Sequence, residues 1–285
     1  MKLALGTVQF GLSYGITNNS GQVQEKEVCS ILEHATQKNI NILDTAAAYG
    51  NSETVLGNMP TQNFDIISKI PSVSKLKVTI ADCLSESLRK LKRKSIYGLM
   101  FHDENDIIST KGYFEALITA KTNGLVQKIG CSFYTVEALK KSLEMDHALD
   151  LIQIPANCFD QRFLKSGLLD EAKSQGIEIH CRSLFLQGLL LDRNATLPKS
   201  LSPFKDELDS FFKFCEFYNI SPLMATLKYL QQTEVFDYGV VGCVTTCQLD
   251  EITTAYEKIN QYDELIDFSK LSSTNTILLN PTLWN

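Results

Sequence analysis

The sequence lacks a long apolar run and a concentrated block of one charge. No stretch approaches the roughly 20 apolar residues of a membrane-spanning helix, and residues 1–6 (MKLALG) reach glycine too early for a signal peptide. The 27 Lys and Arg and 33 Asp and Glu, a formal charge of -6, are spread along the chain. We therefore expect a cytoplasmic protein with no membrane partner and no nucleic-acid partner.

Cysteine is sparse, with eight residues in 285 and no Cys-x-x-Cys pair. Cys243 and Cys247 are separated by three residues, and no histidine lies near them at metal-ligand spacing. This pattern argues against a disulfide-built fold and against a metal site. We expect the cysteines to be small, semi-apolar side chains in a reducing compartment.

Short apolar runs rich in β-branched residues alternate with helical patterns along the whole chain. The predicted strands span residues 3–8, 40–46, 65–70, 97–102, 128–132, 151–156, 177–182 and 238–243. Almost continuously apolar strands, each followed by a helix, pair in parallel with both faces covered. Eight such repeats in 285 residues predict an α/β fold, a single-domain (β/α)8 barrel of the TIM-barrel type.

Helical periodicity is clearest in two intervening segments, where apolar residues recur at i, i+3 or i+4. Their apolar stripes are Val28, Ile31, Leu32 and Ala35 in the first, and Ile80, Leu84, Leu88 and Leu91 in the second. A third predicted helix, over residues 112–122, is followed by Asn123 and Gly124, a helix stop signal.

A doubly wound open sheet is the alternative architecture. It is typically marked by G-x-G-x-x-G after the first strand, and the sequence GTVQFG at residues 6–11 does not match. No linker rich in Pro, Gly or Ser divides the chain, so we interpret residues 1–285 as one domain. We expect two long segments, near 184–203 and 261–285, to shape the substrate pocket.

Polar side chains stand where the predicted strands end, which is where barrel enzymes place reactive groups. They are Asp44, Lys69, His102, Ser132, Gln153, Asn157, His180 and Arg182, and Tyr49 follows Asp44 closely. Singly, a lysine there is typical of a solvated side chain, an aspartate of a helix cap and a histidine or tyrosine of packing. At the ends of three consecutive strands, Asp44, Lys69 and His102 together indicate a reactive site. We interpret the other histidines, His34, His147 and His180, as structural.

These residue types suit reduction of a carbonyl group without a metal. Hydride addition builds negative charge on oxygen, which requires a proton and hydrogen-bond donors in place. An ammonium group beside a tyrosine lowers the pKa of the phenol, and a carboxylate keeps that ammonium charged and oriented. A neutral imidazole can donate to the same carbonyl oxygen.

Residues 44–53, D-T-A-x-x-Y-G-x-S-E, closely resemble the first signature of the aldo-keto reductase superfamily. Lys69 and His102 occupy the two remaining places of that family's tetrad, and the resemblance extends from residue 6 to about residue 251. It implies a (β/α)8 barrel that reduces a small aldehyde or ketone with NADPH or NADH. It also implies that Tyr49 is the general acid, that Lys69 lowers the pKa of Tyr49, that Asp44 pairs with Lys69 and that His102 orients the carbonyl.

The resemblance also implies a set of cofactor contacts. They are Gly6, Thr7, Asp44, Ser132, Gln153, Arg182, Ser183, Leu184, Gly242, Val244, Gln248 and Glu251. Phe133 stands where the family has an asparagine that binds the nicotinamide amide, so one hydrogen bond is lost. Arg182 stands where the family often has an aromatic ring stacked on the nicotinamide, and a planar guanidinium can stack there instead.

Two further expectations concern specificity. Family members that prefer NADPH have basic residues at the places of Val244 and Gln248, where a 2′-phosphate binds. We therefore expect relaxed cofactor choice, or a preference for NADH. Segments 5–11 and 182–190 are similar to reductases associated with bacterial surface-polysaccharide and sugar biosynthesis, which implies a sugar substrate. The acidic net charge gives no support to a highly anionic ligand.

Two other functions stay open. Lys69 can act as the Schiff-base nucleophile of a barrel lyase, although Asp44 beside it favours the protonated amine. A non-catalytic, nicotinamide-binding regulatory protein can share the same fold, although the intact Asp-Tyr-Lys-His set favours chemistry. The sequence carries no signal for an oligomeric state.

Overall fold

The computed structural model describes residues 1–76, 78–109, 111–145, 148–262 and 264–284, without the side chains of residues 109 and 111. Its centre is a closed barrel of eight parallel strands that neighbour one another in chain order. The strands are β1 (Lys2–Gly6), β2 (Ile42–Asp44), β3 (Asp65–Ile70), β4 (Ile96–Phe101), β5 (Val126–Ser132), β6 (Leu151–Pro155), β7 (Glu178–Arg182) and β8 (Tyr238–Gly242). The (β/α)8 barrel predicted from the sequence is confirmed.

Helices connect the strands and cover the outside of the barrel. Those within the described residues are α1 (Val8–Gly11), α2 (Glu25–Gln37), α3 (Ser52–Asn58), α4 (Ile80–Leu91), α5 (Glu104–Ser109), α6 (Lys111–Thr122), α7 (Val136–Glu144), α8 (Arg162–Lys165), α9 (Leu168–Ser174), α10 (Lys205–Phe217), α11 (Pro222–Gln232), α12 (Thr246–Ile259) and α13 (Thr276–Leu279). Short 3-10 turns lie at Val73–Lys75, Leu186–Gly188, Lys199–Phe204, Ser269–Leu271 and Pro281–Leu283. In the part of the chain that the structure describes, no helix has the length and apolar character needed to cross a bilayer.

The predicted apolar stripes form the buried faces of α2 and α4. All eight residues of the two stripes are buried in the core. The predicted stop after α6 is also present, since Gly124 adopts a left-handed φ of +71° and its N–H bonds the carbonyl oxygen of Lys121 at 2.9 Å. Local periodicity and a turn residue were therefore sufficient to locate these helices.

Two strands end two residues earlier than predicted. β1 ends at Gly6 because Val8 already begins α1. β2 covers only Ile42–Asp44 of the predicted 40–46, although the N–H of Thr45 still donates to the Ile67 carbonyl at 2.8 Å. The chain thus keeps bonding to β3 while it leaves strand geometry for the turn before α3.

The parallel register brings the carboxyl ends of the strands to one rim of the barrel. Gly6 pairs with Asp44 on one side and with Gly242 on the other. Ser132 pairs with Gln153 in the same way. Because successive strands repeat this alignment, Asp44, Ser132 and Gln153 share the rim, whereas the predicted strand-end residue His180 does not.

His180 lies inside the barrel and away from this rim. Its Nε2 lies 2.8 Å from Oε1 of Glu178, the first residue of β7, and its ring stacks on Tyr238 with 4.8 Å between centroids. The same carboxylate accepts hydrogen bonds from the Tyr97 hydroxyl at 2.9 Å and from Lys128 Nζ at 2.7 Å. These partners account for His180 structurally, as the sequence analysis proposed. His147 lies outside the described residues.

The long segment after β7 has two parts. Residues 183–188 contact the loop after β1, because Gln187 accepts the N–H of Ile16 through its side chain at 3.1 Å and the hydroxyl of Thr17 through its carbonyl at 3.0 Å. Ser183 and Gln187 both have left-handed φ angles, +61° and +53°. Residues 189–202 instead line, with α10, a cleft of about 570 Å³ whose lining includes none of the predicted site residues.

The C-terminal segment packs against the outside of the barrel. Gln161, in the loop after β6, donates to the carbonyl oxygen of Phe268 at 2.9 Å, and Lys228 of α11 donates to that of Tyr262 at 2.6 Å. The N–H of Ser273 donates to the carbonyl of Phe159 at 2.9 Å. These bonds fix the described part of the segment beside the loop that follows β6.

Candidate active site

A buried ion pair joins the ends of β2 and β3. Lys69 is 1% exposed and Asp44 3%, and Lys69 Nζ donates to Oδ1 of Asp44 at 2.6 Å. The ammonium also donates to the Thr45 carbonyl at 3.0 Å, and the Gln153 amide donates to Oδ2 of Asp44 at 2.8 Å. Both carboxylate oxygens and the ammonium therefore have partners, which compensates for the loss of hydration on burial.

The turn that carries Tyr49 is held by close packing against the start of the chain. A Cβ on Gly11 would lie 1.9 Å from the carbonyl oxygen of Tyr49, so only glycine allows this approach. Ser52, the first residue of α3, donates from its hydroxyl to the Thr7 carbonyl at 2.9 Å and contacts the Thr45 hydroxyl at 3.1 Å. These contacts fix the backbone on both sides of Tyr49.

Tyr49 contacts both His102 and the Lys69 member of the ion pair. The rings of Tyr49 and His102 are edge to face, with 5.7 Å between centroids and 82° between planes. Lys69 Nζ lies 5.2 Å from the centroid of the Tyr49 ring. Since Lys69 also holds Asp44, the four residues predicted as a tetrad lie together at the rim.

The protonation of this cluster differs from the sequence-based expectation for Tyr49. Its pKa is raised above the ordinary value, chiefly by burial and then by the Asp44 carboxylate, with Arg182 acting in the opposite direction. The pKa rises rather than falls because loss of hydration outweighs the neighbouring charges, and the separate effect of Lys69 stays a prediction. The phenol of Tyr49 keeps its proton at neutral pH.

His102 and Lys69 also respond to burial. The pKa of His102 falls to about 4, because burial penalises the imidazolium and the charges of Lys69 and Arg182 repel it. Burial lowers the pKa of Lys69 as well, while the Asp44 carboxylate opposes that change. His102 is thus a neutral hydrogen-bonding group at neutral pH.

Arg182, at the end of β7, crosses the rim toward β5. Its guanidinium carbon lies 3.9 Å from the centroid of the Tyr134 ring. It donates to the Ser132 hydroxyl at 3.4 Å, the Ser183 hydroxyl at 3.3 Å and the Phe133 carbonyl at 3.3 Å. All three bonds are long and all three acceptors are uncharged.

The remaining predicted cofactor residues differ in what they offer. Thr7 is fully buried and donates its hydroxyl to the Asp44 carbonyl at 3.0 Å. Leu184 is 1% exposed and packs in the hydrophobic core, so only its backbone is available for the predicted contact. Ser132 and Gln153 lie at paired strand ends beside Arg182 and Asp44. Their role as contacts of the nicotinamide stays a prediction.

The end of β8 places an unpartnered acceptor beside a glycine. A Cβ on Gly242 would lie 2.8 Å from Nε2 of Gln9, and Oε1 of Gln9 is buried without a hydrogen-bond partner within the described residues. The hydroxyl of Thr245 caps α12 by accepting the N–H of Gln248 at 3.2 Å. The unpartnered amide oxygen of Gln9 can accept a hydrogen bond from a hydroxyl group, such as those on the riboses of a nicotinamide dinucleotide.

Acidic groups surround the first turn of α12. Oε1 of Glu27, on α2, accepts the N–H of Thr246 at 2.6 Å and the hydroxyl of the same residue at 2.9 Å. The side chain of Gln248 folds back to accept the N–H of Val244 at 2.9 Å. Glu251, in the second turn of α12, accepts from the Cys247 thiol at 3.7 Å. Neither Val244 nor Gln248 offers a cation here.

A sequence profile of the Aldo/keto reductase family matches residues 2–267. The chain belongs to this family. Aldo/keto reductases use NADP or NAD, which are the cofactors expected from the sequence, and the preference between the two is open. The family resemblance of the sequence is therefore confirmed over nearly the whole chain.

Curated relatives of this aldo/keto reductase include two bacterial enzymes. Methylglyoxal reductase of Escherichia coli is 27% identical over 129 residues, 43% of this chain and 48% of that protein. The enzyme of the same name from Salmonella typhi is 25% identical over 169 residues, 55% of this chain and 61% of that protein. The match thus spans only about half to three-fifths of these relatives.

Solved structures with the same fold cover more of the chain. An aldo-keto reductase from Bacillus halodurans, in its holo form, has a TM-score of 0.74 at 19% identity and covers 96% of this chain and 93% of its own. A glycerol dehydrogenase from Gluconobacter oxydans has a TM-score of 0.66 at 21% identity, with 93% of each chain covered. At these identities the likeness shows the fold.

Some residues of the site escaped the sequence analysis. Tyr14 and Tyr134 lie in loops after β1 and β5 and come near Tyr49 and Arg182 only when the barrel closes. Gln9 and Glu27 likewise reach the end of β8 and the start of α12 only through tertiary contacts. The sequence does hold one signal for Tyr134, because it lies two residues after Ser132, which was predicted to lie at the rim.

Proposed function

We propose that this aldo/keto reductase reduces an aldehyde or ketone to an alcohol with NADPH or NADH, with Tyr49 as the general acid. The observation that carries the proposal is the meeting of the Asp44–Lys69 pair, the Tyr49 phenol and the neutral His102 imidazole at one rim. When bound, the reduced nicotinamide supplies hydride to the carbonyl carbon.

Each of the four residues has a separate task in this proposal. Tyr49 holds its proton at neutral pH and gives it to the oxygen that gains negative charge. Neutral His102 donates a hydrogen bond that orients the carbonyl. Lys69, held by Asp44, places positive charge next to the phenol at the moment when the phenol loses its proton.

The cofactor would lie across the rim from β5 and β6 to β8. Ser132 and Gln153 would bind the nicotinamide amide, and Arg182 would pack against its ring. Gln9 and Gly242 would lie against a ribose, with Val244 and Gln248 at the proposed place of the adenosine phosphate. Gly6, Thr7, Ser183, Leu184 and Glu251 complete the proposed set through their positions at the same rim.

The substrate class is part of the proposal. The curated relatives are named methylglyoxal reductases, which favours a small reactive carbonyl compound. The resemblance of segments 5–11 and 182–190 favours a sugar. The segments near 184–203 and 261–285 would shape the pocket, within a single domain that acts in the cytoplasm without a nucleic-acid partner.

A panel of carbonyl compounds tests the activity. The purified protein is mixed with aldehydes, keto-sugars and short ketones, each with NADH and with NADPH, and the loss of reduced-nicotinamide absorbance is followed. We expect turnover with at least one class. Nucleotide binding without turnover across the panel would instead favour the regulatory alternative.

The Schiff-base alternative needs its own test. Lys69 Nζ donates to both Asp44 and the Thr45 carbonyl, which favours the ammonium form over the nucleophilic amine. Borohydride added with the carbonyl substrate should leave the mass of the protein unchanged. A covalent adduct at Lys69 would favour a lyase.

A further inference from the structure

Arg182 is a cation at the rim without an anionic partner. Within the described residues, no carboxylate lies at ion-pair distance from its guanidinium, and its hydrogen bonds go to Ser132, Ser183 and the Phe133 carbonyl at 3.3–3.4 Å. A guanidinium has five N–H donors, so two remain without an acceptor in the described structure. Buried or half-buried charges normally have a partner, and this one has only weak ones.

The neighbouring carboxylates are already engaged. Both oxygens of Asp44 accept hydrogen bonds, from Lys69 and from Gln153. Oε2 of Glu104 accepts the N–H of Tyr134 at 2.6 Å and that of Thr135 at 3.0 Å. Neither carboxylate is free to move to Arg182 without giving up these bonds.

Both signs of charge occur at this part of the rim. Of the two cations, Lys69 has the Asp44 carboxylate as its partner, and Arg182 has no carboxylate partner within the described residues. The carboxylate of Glu104 lies nearby but is bonded to backbone N–H groups. The field at Arg182 depends on these local groups rather than on the net charge of -6 of the whole chain.

The position of Arg182 is fixed from two sides. Tyr134 packs against the guanidinium with 3.9 Å from its ring centroid to the guanidinium carbon. The bonds to Ser132 and Ser183 hold the Nε edge and one terminal nitrogen. Burial is the largest cause of the pKa shifts of Tyr49 and His102, and the charge of Arg182 is a smaller one. The guanidinium is therefore within electrostatic range of both side chains.

We propose that Arg182 binds an oxyanion carried by the carbonyl substrate, so that the preferred substrates are aldehydes or ketones with a carboxylate or a phosphate near the carbonyl. This inference rests on the proposed reductase function and narrows its substrate class. A carboxylate or phosphate accepts two parallel hydrogen bonds from one guanidinium, which the present uncharged acceptors do not.

The test compares two aldehydes of nearly equal shape, 4-carboxybenzaldehyde and 4-formylbenzamide, with the wild type, Arg182→Gln and Arg182→Lys. The measured quantity is the ratio of kcat/KM for the acid to kcat/KM for the amide. Any effect of the substitution on cofactor binding cancels in this ratio. Arg89→Gln is the matched control, since Arg89 lies exposed on α4 and pairs with Glu86.

We expect a wild-type ratio of about ten or more and a ratio near one in Arg182→Gln. This change is the size expected when a hydrogen bond to a charged group is lost. Arg182→Lys should retain part of it, and Arg89→Gln all of it. A wild-type ratio near one, or the same ratio in wild type and Arg182→Gln, would overturn the proposal.

A second pair, glyceraldehyde 3-phosphate against glyceraldehyde, separates phosphate from carboxylate as the preferred anion. Binding of benzoate and benzamide to the protein with oxidised nicotinamide, measured by calorimetry, keeps the proposal testable if neither aldehyde is reduced. Tighter binding of benzoate that is lost in Arg182→Gln would then support the anion site, whatever the carbonyl panel shows about the reductase function. Equal binding of the two would overturn the anion site, and the reductase function would still be decided by the carbonyl panel.

Discussion

Lys69 Nζ and Oδ1 of Asp44 are 2.6 Å apart at a place where both side chains are buried. The pair joins the ends of β2 and β3, and it lies 5.2 Å below the centroid of the Tyr49 ring, measured from Nζ. The contact between β2 and β3 thus also determines where the positive charge lies beside Tyr49, the proposed acid.

Breaking this pair from one side should cost more stability than removing it whole. Asp44→Asn or Lys69→Met leaves an uncompensated buried charge, and each should lower the free energy of unfolding by about 3 kcal/mol or more. The double variant should lose less than the sum of the two. Urea unfolding of the four proteins measures this, and strictly additive losses would contradict the pairing.

Removing the Tyr49 hydroxyl should remove the proposed proton donor. In Tyr49→Phe we expect kcat for carbonyl reduction to fall by about 10² to 10⁴, the usual contribution of a general acid, while the dissociation constant of the nucleotide stays near that of the wild type. Tyr218→Phe, a partly buried tyrosine beside α10, is the matched control. Similar reduction rates for Tyr49→Phe and the wild type would rule out the assigned role.

The pH profile of reduction should lack a step near the ordinary histidine pKa. Because burial and the charges of Lys69 and Arg182 lower the pKa of His102 to about 4, its imidazole stays neutral as the pH falls through the usual value of 6.5. The raised pKa of Tyr49 keeps the phenol protonated on the alkaline side. We therefore expect kcat/KM to be flat from about pH 5 to about pH 9.

His102→Gln serves as the reference for this profile. An acidic step near pH 6.5 that is present in the wild type and absent in His102→Gln would show that the imidazole is charged in the working enzyme. A step below pH 5 in the wild type alone would agree with the lowered pKa.

The carboxylate of Glu27 on α2, which contacts the first turn of α12, should disfavour binding of NADPH. Glu27 accepts a hydrogen bond from the N–H of Thr246, in the first turn of α12. This N–H lies next to Val244 and Gln248, the places where the family resemblance locates the 2′-phosphate. Glu27→Gln keeps an acceptor oxygen and removes the charge, so binding of NADP+ should tighten by about fivefold while that of NAD+ changes little, since one charge pair near a surface contributes on the order of 1 kcal/mol.

Calorimetric titration of both nucleotides, with Glu33→Gln on the same helix as the control, measures this difference. A wild type that binds NADP+ much more tightly than NAD+ would contradict both the Glu27 argument and the expected preference for NADH.

The sequence located the strand ends because apolar runs and helical periodicity are local properties. Lys69 and His102 could be assigned to one rim before any coordinates, since parallel strands of a barrel end on the same side. The protonation of Tyr49 could not be assigned in this way. A pKa depends on the balance of burial and charge around the group, and the sequence shows the neighbouring charges without the loss of water.

Arg182 shows the same division. Its place at the end of β7 follows from the strand pattern, and its lack of an acidic partner depends on where Asp44 and Glu104 make their bonds. The sequence by itself determined the barrel, the family and the four side chains at the rim, because these follow from periodicity, strand order and a local signature. Only the tertiary structure decided which charges remain unpaired, because that depends on contacts between residues far apart in the chain.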